Sequence, residues 1–211
     1  MRRTILMALA LCGFLVQPTV GDVPEGFKAL FNGKDLTGWK ATGKMDVWGA
    51  DADKGILFVQ GGGGGWLMTE AEYGDFELRL EYKMPKMGNS GVGLRSPLQG
   101  DPAYVGMEIQ LLDDANWKDL RPVQQTGSIY DVVPAAKINS KPFGEWNTMR
   151  IVAKGRRILV EHNGERLVDA DLDEHKEHFK RHPGLTRAKG HIGLQSYNFR
   201  VEFKNVYVKP L

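Results

Sequence analysis

The stretch Phe76-Glu77-Leu78-Arg79-Leu80-Glu81-Tyr82 decides the fold, because apolar and charged residues alternate through it without a break. Successive side chains of an extended chain point to opposite faces, so the apolar residues lie on one face and the charges on the other. This pattern predicts an antiparallel strand with one face on a core and the other in water.

Similar short runs follow along the chain, at residues 92–95, 149–153, 158–162 and 201–208. Asn163-Gly164 stands between the run that ends at His162 and the one that starts at Glu165, and Asn-Gly is the strongest short hairpin signal. Helix is expected only as short turns at 69–73 and 171–181. Short strands separated by turn signals predict an all-β sandwich of two antiparallel sheets, with little helix.

The first 21 residues have the pattern of a secretory signal peptide. Met1-Arg2-Arg3 precedes an apolar run from Ile5 to Val16, and Gly21 stands just before the charged Asp22. About a dozen apolar residues suit a signal peptide and fall short of the roughly 20 that cross a bilayer. We therefore expect residues 1–21 to be removed and residues 22–211 to form a single exported domain, periplasmic or secreted.

Composition limits the partners of this domain. Cys12 is the only cysteine and lies in the leader, so the domain has no disulfide and depends on its core. A domain of on the order of 190 residues is large enough to form such a core, since it buries roughly 70% of the surface that its unfolded chain exposes. The net charge of +2 is too close to balance to predict binding to nucleic acid or to an anionic membrane.

Polar residues stand out in Gly106-Met107-Glu108-Ile109-Gln110-Leu111-Leu112-Asp113. Apolar residues alternate toward the core and leave Glu108 and Gln110 on the opposite face. A one-residue bulge near Leu112 would bring Asp113 to that face as well. The spacing Glu-x-Gln-x-x-Asp then resembles the Glu-x-Asp-x-x-Glu strand of the retaining jelly-roll glucanases, although solvated strand residues are an equally simple interpretation.

Two glycine-containing runs add polar groups. In Asn89-Ser90-Gly91-Val92-Gly93-Leu94-Arg95, both glycines share the face of Arg95, which would leave an open floor for a flat sugar ring in front of the guanidinium. In Gly190-His191-Ile192-Gly193-Leu194-Gln195, His191 and Gln195 share a face with a glycine. A histidine there could transfer protons near neutral pH, and a plain surface role is the alternative for it and for Arg95.

Aromatic residues could cover a ligand on this face. Thr126-Gly127-Ser128-Ile129-Tyr130 is predicted to be a loop that presents Tyr130 over a cleft. Among the five tryptophans, we assign Trp117 to the surface, where it could stack on a sugar ring, and the others to the core.

The sequence lacks the motifs of serine hydrolases, zinc proteases and thiol enzymes, and those of nucleotide and metal sites. The chain has no Gly-x-Ser-x-Gly, no His-Glu-x-x-His and no cysteine nucleophile. The five glycines at 61–65 lack the Lys-Ser/Thr ending of a phosphate-binding loop and are expected to form a surface loop. His175, His178 and His182 would share a helical face, but the absence of a nearby acidic partner argues against a metal there.

Six ordered motifs together resemble the 3-keto-disaccharide hydrolase domain family, which groups 3-keto-glucoside lyases and 3-keto-2-hydroxyglucal hydratases. They are the run from Phe27 to Trp39, Asn89-Ser90-Gly91 with Arg95, Gly106-Met107-Glu108-Ile109-Gln110, Thr126-Gly127-Ser128-Ile129-Tyr130, Gly144-Glu145-Trp146-Asn147 and Gly190-His191-Ile192-Gly193-Leu194-Gln195. The resemblance covers essentially all of residues 22–211. It implies a concanavalin-like jelly roll, export, and action on glycosides already oxidised at C3. Relatives often carry a histidine shortly after the last motif, where this chain has Tyr197-Asn198.

A C3 ketone acidifies the hydrogen on C2, so a base can remove it, the glycosidic oxygen can leave, and water can add to the resulting 2-hydroxy-3-ketoglucal. On this hypothesis Glu108 is the base, Arg95 stabilises negative charge at the ketone oxygen, and His191 or Asp113 protonates the leaving group. A divalent cation on Glu108 and Asp113 could replace Arg95. The expected substrate-binding residues are Gln110, Tyr130, Gln195 and Trp117.

Two other functions fit the same residues. A retaining glycosidase would use Glu108 and Asp113 about 5 Å apart on unoxidised glycosides. A non-catalytic sugar-binding module would use the same face without turnover. If the protein cleaves 3-keto-glycosides, its expected partner is an oxidised saccharide. The sequence does not specify the linkage or the leaving group of this substrate, nor the oligomeric state of the protein.

Overall fold

The computed structural model describes residues 23–211, which form two antiparallel sheets packed face to face. The predicted signal peptide lies outside the described residues. The strands are β1 (Lys28–Ala29), β2 (Trp39–Ala41), β3 (Trp48–Asp51), β4 (Ile56–Val59), β5 (Trp66–Tyr73), β6 (Phe76–Lys83), β7 (Asn89–Ser96), β8 (Met107–Leu112), β9 (Trp146–Lys154), β10 (Arg157–His162), β11 (Glu165–Asp171), β12 (Gly190–Gln195) and β13 (Val201–Pro210).

One sheet has the strand order β11-β10-β9-β6-β13-β4-β3, with β1 paired to β13, and the other has the order β2-β5-β12-β7-β8. The predicted all-β sandwich is therefore confirmed. Both sheets are antiparallel throughout, as the alternating pattern of the sequence requires. The five-stranded sheet carries the polar motifs and is the one that positions the site.

The alternating stretch from Phe76 to Tyr82 lies in β6, in the middle of the larger sheet between β9 and β13. Phe76, Leu78, Leu80 and Tyr82 are at most 2% exposed and belong to the core between the sheets. Full burial of one such side chain stabilises the fold by about 1.5–3 kcal/mol, so the four together fix which face of β6 lies inside. The other predicted strands are found within β7, β9, β10 and β13.

The predicted hairpin is also present. Asn163 and Gly164 connect β10 to β11, and both have positive φ angles, 49° and 81°. A two-residue turn of this kind matches the twist of the strands that it joins.

Helices are few and short in the described part of the chain. They are the α-helix α1 (Pro102–Val105) and the 3-10 helices Met45–Val47, Pro122–Gln124, Leu172–His178 and Pro183–Thr186. The helical turn predicted near 171–181 corresponds to Leu172–His178, which is interrupted at His175. Within residues 23–211, no helix has the length and apolarity that crossing a bilayer requires.

The helix predicted at 69–73 is wrong. These residues are the second half of β5, whose Thr69 pairs with Trp39 of β2 and whose Tyr73 pairs with Gly190 of β12. Thr-Glu-Ala-Glu contains good helix formers, but hydrogen bonding to strands on both sides outweighs so weak a local preference.

Candidate active site

A cavity of about 270 Å³ opens on the outer face of the five-stranded sheet. Its floor comes from β8, β7 and the end of β12, and its walls come from α1 and from the long segment that follows β8. The residues that line it are Asn89, Asp101, Ala103, Tyr104, Glu108, Gln110, Leu112, Trp117, Leu120, Gln124, Tyr130, Gln195 and Tyr197. The structure therefore brings Glu108 together with all four residues predicted to bind substrate, which are Gln110, Tyr130, Gln195 and Trp117.

The loop that carries Tyr130 is attached to β8 by backbone hydrogen bonds. The amide of Tyr130 donates to the carbonyl of Glu108 at 2.9 Å, and the amide of Gly127 donates to the carbonyl of Gln110 at 2.9 Å. Gly127 has φ +86°, and Leu167 packs where a Cβ would project, so glycine is required there. The 126–130 motif thus acts as a short extra strand that places Tyr130 beside the carboxylate.

Glu108 is the main ionisable group on the floor of the cavity. It is 3% exposed, and its Oε1 has no hydrogen-bond partner within the described residues. Burial, together with the negative charge of nearby Asp101, raises the pKa of Glu108 to about 8. A carboxylate with such a pKa can accept a proton near neutral pH, which makes it a candidate general base.

Glycines of the two central strands make room for buried side chains. A Cβ on Gly91 would overlap the carboxyl group of Glu108, and Cβ atoms on Gly93 and Gly193 would lie against the ring of Trp66. The sequence prediction of an open floor for a sugar is therefore wrong. The glycines instead let Glu108 and Trp66 lie flat across the sheet.

Three buried oxygens that line the cavity lack a partner among the described residues: Oδ1 of Asn89, Oε1 of Glu108 and Oε1 of Gln195. Buried polar atoms in proteins are nearly always hydrogen-bonded, so these acceptors call for a ligand or ordered water that donates. No Lys, Arg or His is found among the described residues that line the cavity. A ligand rich in hydroxyl groups and without negative charge fits this lining.

Arg95 does not reach the cavity, contrary to the sequence prediction. It has φ +49°, which breaks the alternation of β7, and its side chain is 1% exposed at the end of the sandwich. Its guanidinium donates to the carbonyls of Gly74 at 2.8 Å and Gly155 at 2.7 Å and pairs with Asp75 at 3.0 Å. Arg95 thus joins turns of the two sheets and has a structural role.

His191 also lies outside the cavity. Its Nδ1 donates to the carbonyl of Thr69 at 2.8 Å, and its Nε2 lies 3.8 Å from Oε1 of Glu72. A shift in strand register between His191 and Gly193 moves it away from the face that Gln195 occupies. The prediction that His191 protonates the leaving group is not supported by this position.

Asp113 is separated from Glu108 as well. The β7–β8 register runs from Asn89–Leu112 to Leu94–Met107 without a shift, so the predicted bulge near Leu112 is absent. Leu112 takes the cavity-facing position, whereas Asp113 accepts from the amide of Met87 at 2.8 Å and lines a different pocket.

This separation also removes the predicted cation site, since Glu108 and Asp113 cannot bind one ion from different pockets. Within residues 23–211, no group of three or more His, Cys, Asp or Glu residues is arranged to hold a metal. His182, one of the three histidines considered for metal binding, is instead stacked on Tyr104 with ring centroids 5.0 Å apart.

Trp117 is half-buried at the wall of the cavity, where its indole donates to the carbonyl of Gly88 at 3.3 Å. The expectation that it is the only tryptophan outside the core is wrong, because Trp146 is half-buried on the larger sheet. There it lies beneath the ammonium groups of Lys83 and Lys204.

The sequence did not indicate eight residues of the cavity lining, of which five carry polar groups: Asn89, Asp101, Tyr104, Gln124 and Tyr197. Asp101 and Tyr104 belong to α1 and its cap, where Oδ1 of Asp101 accepts from the amide of Ala103 at 3.1 Å. The Asp-Pro pair at 101–102 is a helix-start signal that could have indicated this helix. Its position over β8 depends on contacts far away in sequence, including the ring of His182.

Solved structures support this assignment of the fold. Two crystal structures of proposed glycosyl hydrolases from Parabacteroides distasonis superpose with TM-scores of 0.76 and 0.75, at 27% and 28% identity. They match 88% of this chain and 94% and 99% of their own. The fold and these neighbours define a carbohydrate-active enzyme of the jelly-roll class.

Sequence comparison gives the family. A relative from Bacteroides thetaiotaomicron named 3-keto-disaccharide hydrolase is 30% identical over 230 residues, which cover 89% of this chain and 79% of the relative. The model of the 3-keto-alpha-glucoside-1,2-lyase-like domain matches residues 26–209. The chain belongs to this family.

Proposed function

We propose that this protein is an exported enzyme that cleaves glycosides oxidised at C3, by elimination across C1 and C2 followed by addition of water. The observation that carries the proposal is the buried carboxyl group of Glu108 at the floor of the cavity, whose Oε1 has no hydrogen-bond partner among the described residues. The name of the Bacteroides relative supports the choice of substrate, and the signal-peptide pattern of residues 1–21 supports export.

Glu108 removes the hydrogen on C2. The C3 ketone makes this hydrogen acidic, because the electron pair that remains is delocalised into the carbonyl. Burial disfavours the charged carboxylate and therefore favours its protonation. With a pKa near 8, Glu108 is a stronger base than a solvated glutamate. The elimination then breaks the bond between C1 and the glycosidic oxygen and leaves the 2-hydroxy-3-ketoglucal.

Neutral donors replace Arg95 at the ketone oxygen. The amide nitrogen of Gln124 lies 3.5 Å from the hydroxyl of Tyr130 and donates to it, so the hydroxyl hydrogen of Tyr130 can point to the ligand. The Oε1 of Gln110 accepts from the amide of Leu111 at 3.1 Å, which leaves its NH₂ group for the ligand. Donors placed in a buried cavity stabilise a developing enolate more than they would in water.

Glu108 returns the proton that it took from C2 to the leaving oxygen, because neither His191 nor Asp113 lines the cavity. Asp101 is the other carboxylate that lines the cavity, and its negative charge helps to raise the pKa of Glu108. A charged Asp101 makes Glu108 a stronger base and has no proton to donate, so Glu108 serves first as base and then as acid.

The alternative of a retaining glycosidase loses its main support, since Glu108 and Asp113 do not face one another. A retaining mechanism needs two carboxyl groups about 5 Å apart on either side of the scissile bond. A sugar-binding module would use the same cavity, and turnover distinguishes it from an enzyme.

The test is incubation of purified protein with methyl 3-keto-glucoside of either anomer, with and without chelator, while the conjugated 2-hydroxy-3-ketoglucal and the released methanol are followed. We expect turnover by the wild type and none by Glu108→Gln. Inertness toward both anomers together with tight binding of glycans would establish a binding module. Cleavage of unoxidised laminarin would establish a glycosidase.

A further inference from the structure

One wall of the cavity is the helix α1, which has Asp101 at its N-cap and carries Tyr104. A helix of this length is not stable by itself, so contacts with other segments must hold it in place. His182 supplies two of these contacts. Its Nδ1 lies 3.2 Å from the carbonyl of Ala103, and its ring is stacked on Tyr104 with centroids 5.0 Å apart.

The segment that carries His182 is itself packed against α1. His182 is 1% exposed and directly precedes the 3-10 helix Pro183–Thr186. A Cβ on Gly184 would overlap the backbone of Gly106, the residue that ends α1. The two backbones therefore touch, and this close contact places the imidazole of His182 against α1.

Asp131 connects the other side of the imidazole to the Tyr130 loop. Its Oδ2 lies 3.3 Å from Nε2 of His182. The same carboxylate pairs with Arg121 at 2.6 Å and with Arg181 at 2.9 Å. Because Asp131 is buried and directly follows Tyr130, these contacts join two walls of the cavity, α1 and the Tyr130 loop, through one buried imidazole.

The two nitrogens of His182 both face acceptors, the carbonyl of Ala103 and the carboxylate of Asp131. Both hydrogen bonds therefore form only when each nitrogen carries a proton, and the ring is then a cation. In spite of its burial, hydrogen bonds from Arg121 and His182 hold the pKa of Asp131 below its ordinary value. Both arginines on this carboxylate are more than half exposed, so water screens their repulsion of the ring. The geometry suits an ion pair between His182 and Asp131.

We propose that His182, anchored by Asp131, is a positioning residue for the reaction. It holds α1 in the wall of the cavity, so that Tyr104 and Asp101 stay beside Glu108. The proposal rests on the function proposed above. Burial and the charge of Asp101 together raise the pKa of Glu108, so displacement of α1 would admit water and remove a negative charge. Both changes lower this pKa and make Glu108 a weaker base.

The experiment measures the ionisation of Glu108 in two variants. His182→Phe keeps a ring against Tyr104 and removes both donors. Asp131→Asn removes the charge, and asparagine tolerates the φ of +60° at this position. Carboxyl ¹³C NMR follows the titration, with the signal assigned by its loss in Glu108→Gln. We expect the pKa of Glu108 to fall by about 0.5 unit or more in both variants.

The kinetic readout is the pH profile of kcat/KM for methyl 3-keto-glucoside. Because the base must be deprotonated, kcat/KM rises with pH through the pKa of Glu108. In His182→Phe and Asp131→Asn this rise should move to lower pH, and the plateau should fall about tenfold because the base is weaker and α1 is displaced.

His175→Gln is the matched control. His175 is a half-buried histidine of the helix Leu172–His178, which precedes His182, and it does not line the cavity. Its replacement should leave both the titration of Glu108 and the pH profile as in the wild type. Urea unfolding shows which variants fold, and Asp131→Asn keeps the test available if His182→Phe does not.

Failure of this proposal can be distinguished from failure of the proposed function. If the variants fold with lower stability but the titration of Glu108 and the pH profile match the wild type, His182 only stabilises the fold and the proposal is overturned. If the wild type does not cleave methyl 3-keto-glucoside, the proposed function fails. The NMR titration then still decides whether His182 controls the ionisation of Glu108 through α1.

Discussion

Replacement of Glu108 by Gln should abolish turnover. It should also remove a large pH dependence from the stability of the protein. The carboxyl group of Glu108 has a pKa of about 8 in the folded protein against an ordinary value of 4.5, because the fold removes it from water. Between these two values the unfolded chain has lost the proton and the folded chain has kept it. By linkage, the free energy of unfolding falls as pH rises through this interval.

The magnitude follows from the width of the interval. Each pH unit costs about 1.4 kcal/mol, so the buried group lowers the free energy of unfolding by about 5 kcal/mol between pH 4.5 and pH 8. Below pH 4.5 the group is protonated in both states and contributes nothing. Above pH 8 it is charged in both states and the full penalty remains. Glutamine is uncharged throughout and has nearly the same shape.

The assay is urea unfolding followed by tryptophan fluorescence, at several pH values from 4 to 9, for the wild type and for Glu108→Gln. Other groups titrate in both proteins, so the difference between them isolates Glu108. We expect Glu108→Gln to gain about 5 kcal/mol relative to the wild type as pH rises through the interval. A difference that stays constant with pH would refute the burial argument, and near-normal turnover by the variant would refute the assignment of the base.

Three further predictions test other parts of the site. Gly91→Ala places a Cβ where the carboxyl group of Glu108 lies, so it should lower kcat about tenfold or more and shift the pH profile of kcat/KM toward lower pH; an unchanged profile would show that the carboxyl group is not held there. Asp101→Asn removes a negative charge that helps to raise the pKa of Glu108, so it should shift the pH profile of kcat/KM toward lower pH; an unchanged profile would show that Asp101 does not act on Glu108. Arg95→Met removes a buried, hydrogen-bonded guanidinium and should lower the free energy of unfolding in urea by about 3 kcal/mol, while kcat of the folded protein is unchanged. A stable variant without activity would show that Arg95 takes part in the reaction.

Much of the fold could be predicted from the sequence because strand faces are a local property. In β6 and β8 the apolar residues recur every second position, and burial of one face is the only way to remove them all from water. The same rule puts Glu108 and Gln110 together on the other face of β8, without knowledge of any neighbouring strand. The hairpin at Asn163-Gly164 is equally local, since it depends on two positive φ angles.

The rest of the site depends on contacts between distant segments. Asp113 would join Glu108 only through a bulge, and regular pairing of β8 with β7 leaves none. Arg95 has the right parity for the cavity, but its backbone turns to φ +49° and carbonyls of residues 74 and 155 take up its donors. Neither outcome is encoded in the spacing of residues along one strand.

The sequence by itself determined a two-sheet sandwich whose outer face carries Glu108 beside Gln110, because a period of two residues follows from the geometry of a single extended chain. Only the tertiary structure decided what Glu108 can do. α1, the Tyr130 loop and the end of β12 close over its carboxyl group, and Asp101 approaches it from α1. The pKa of a carboxyl group is set by the water that is excluded and the charges that lie nearby, and both depend on segments that meet only when the chain is folded.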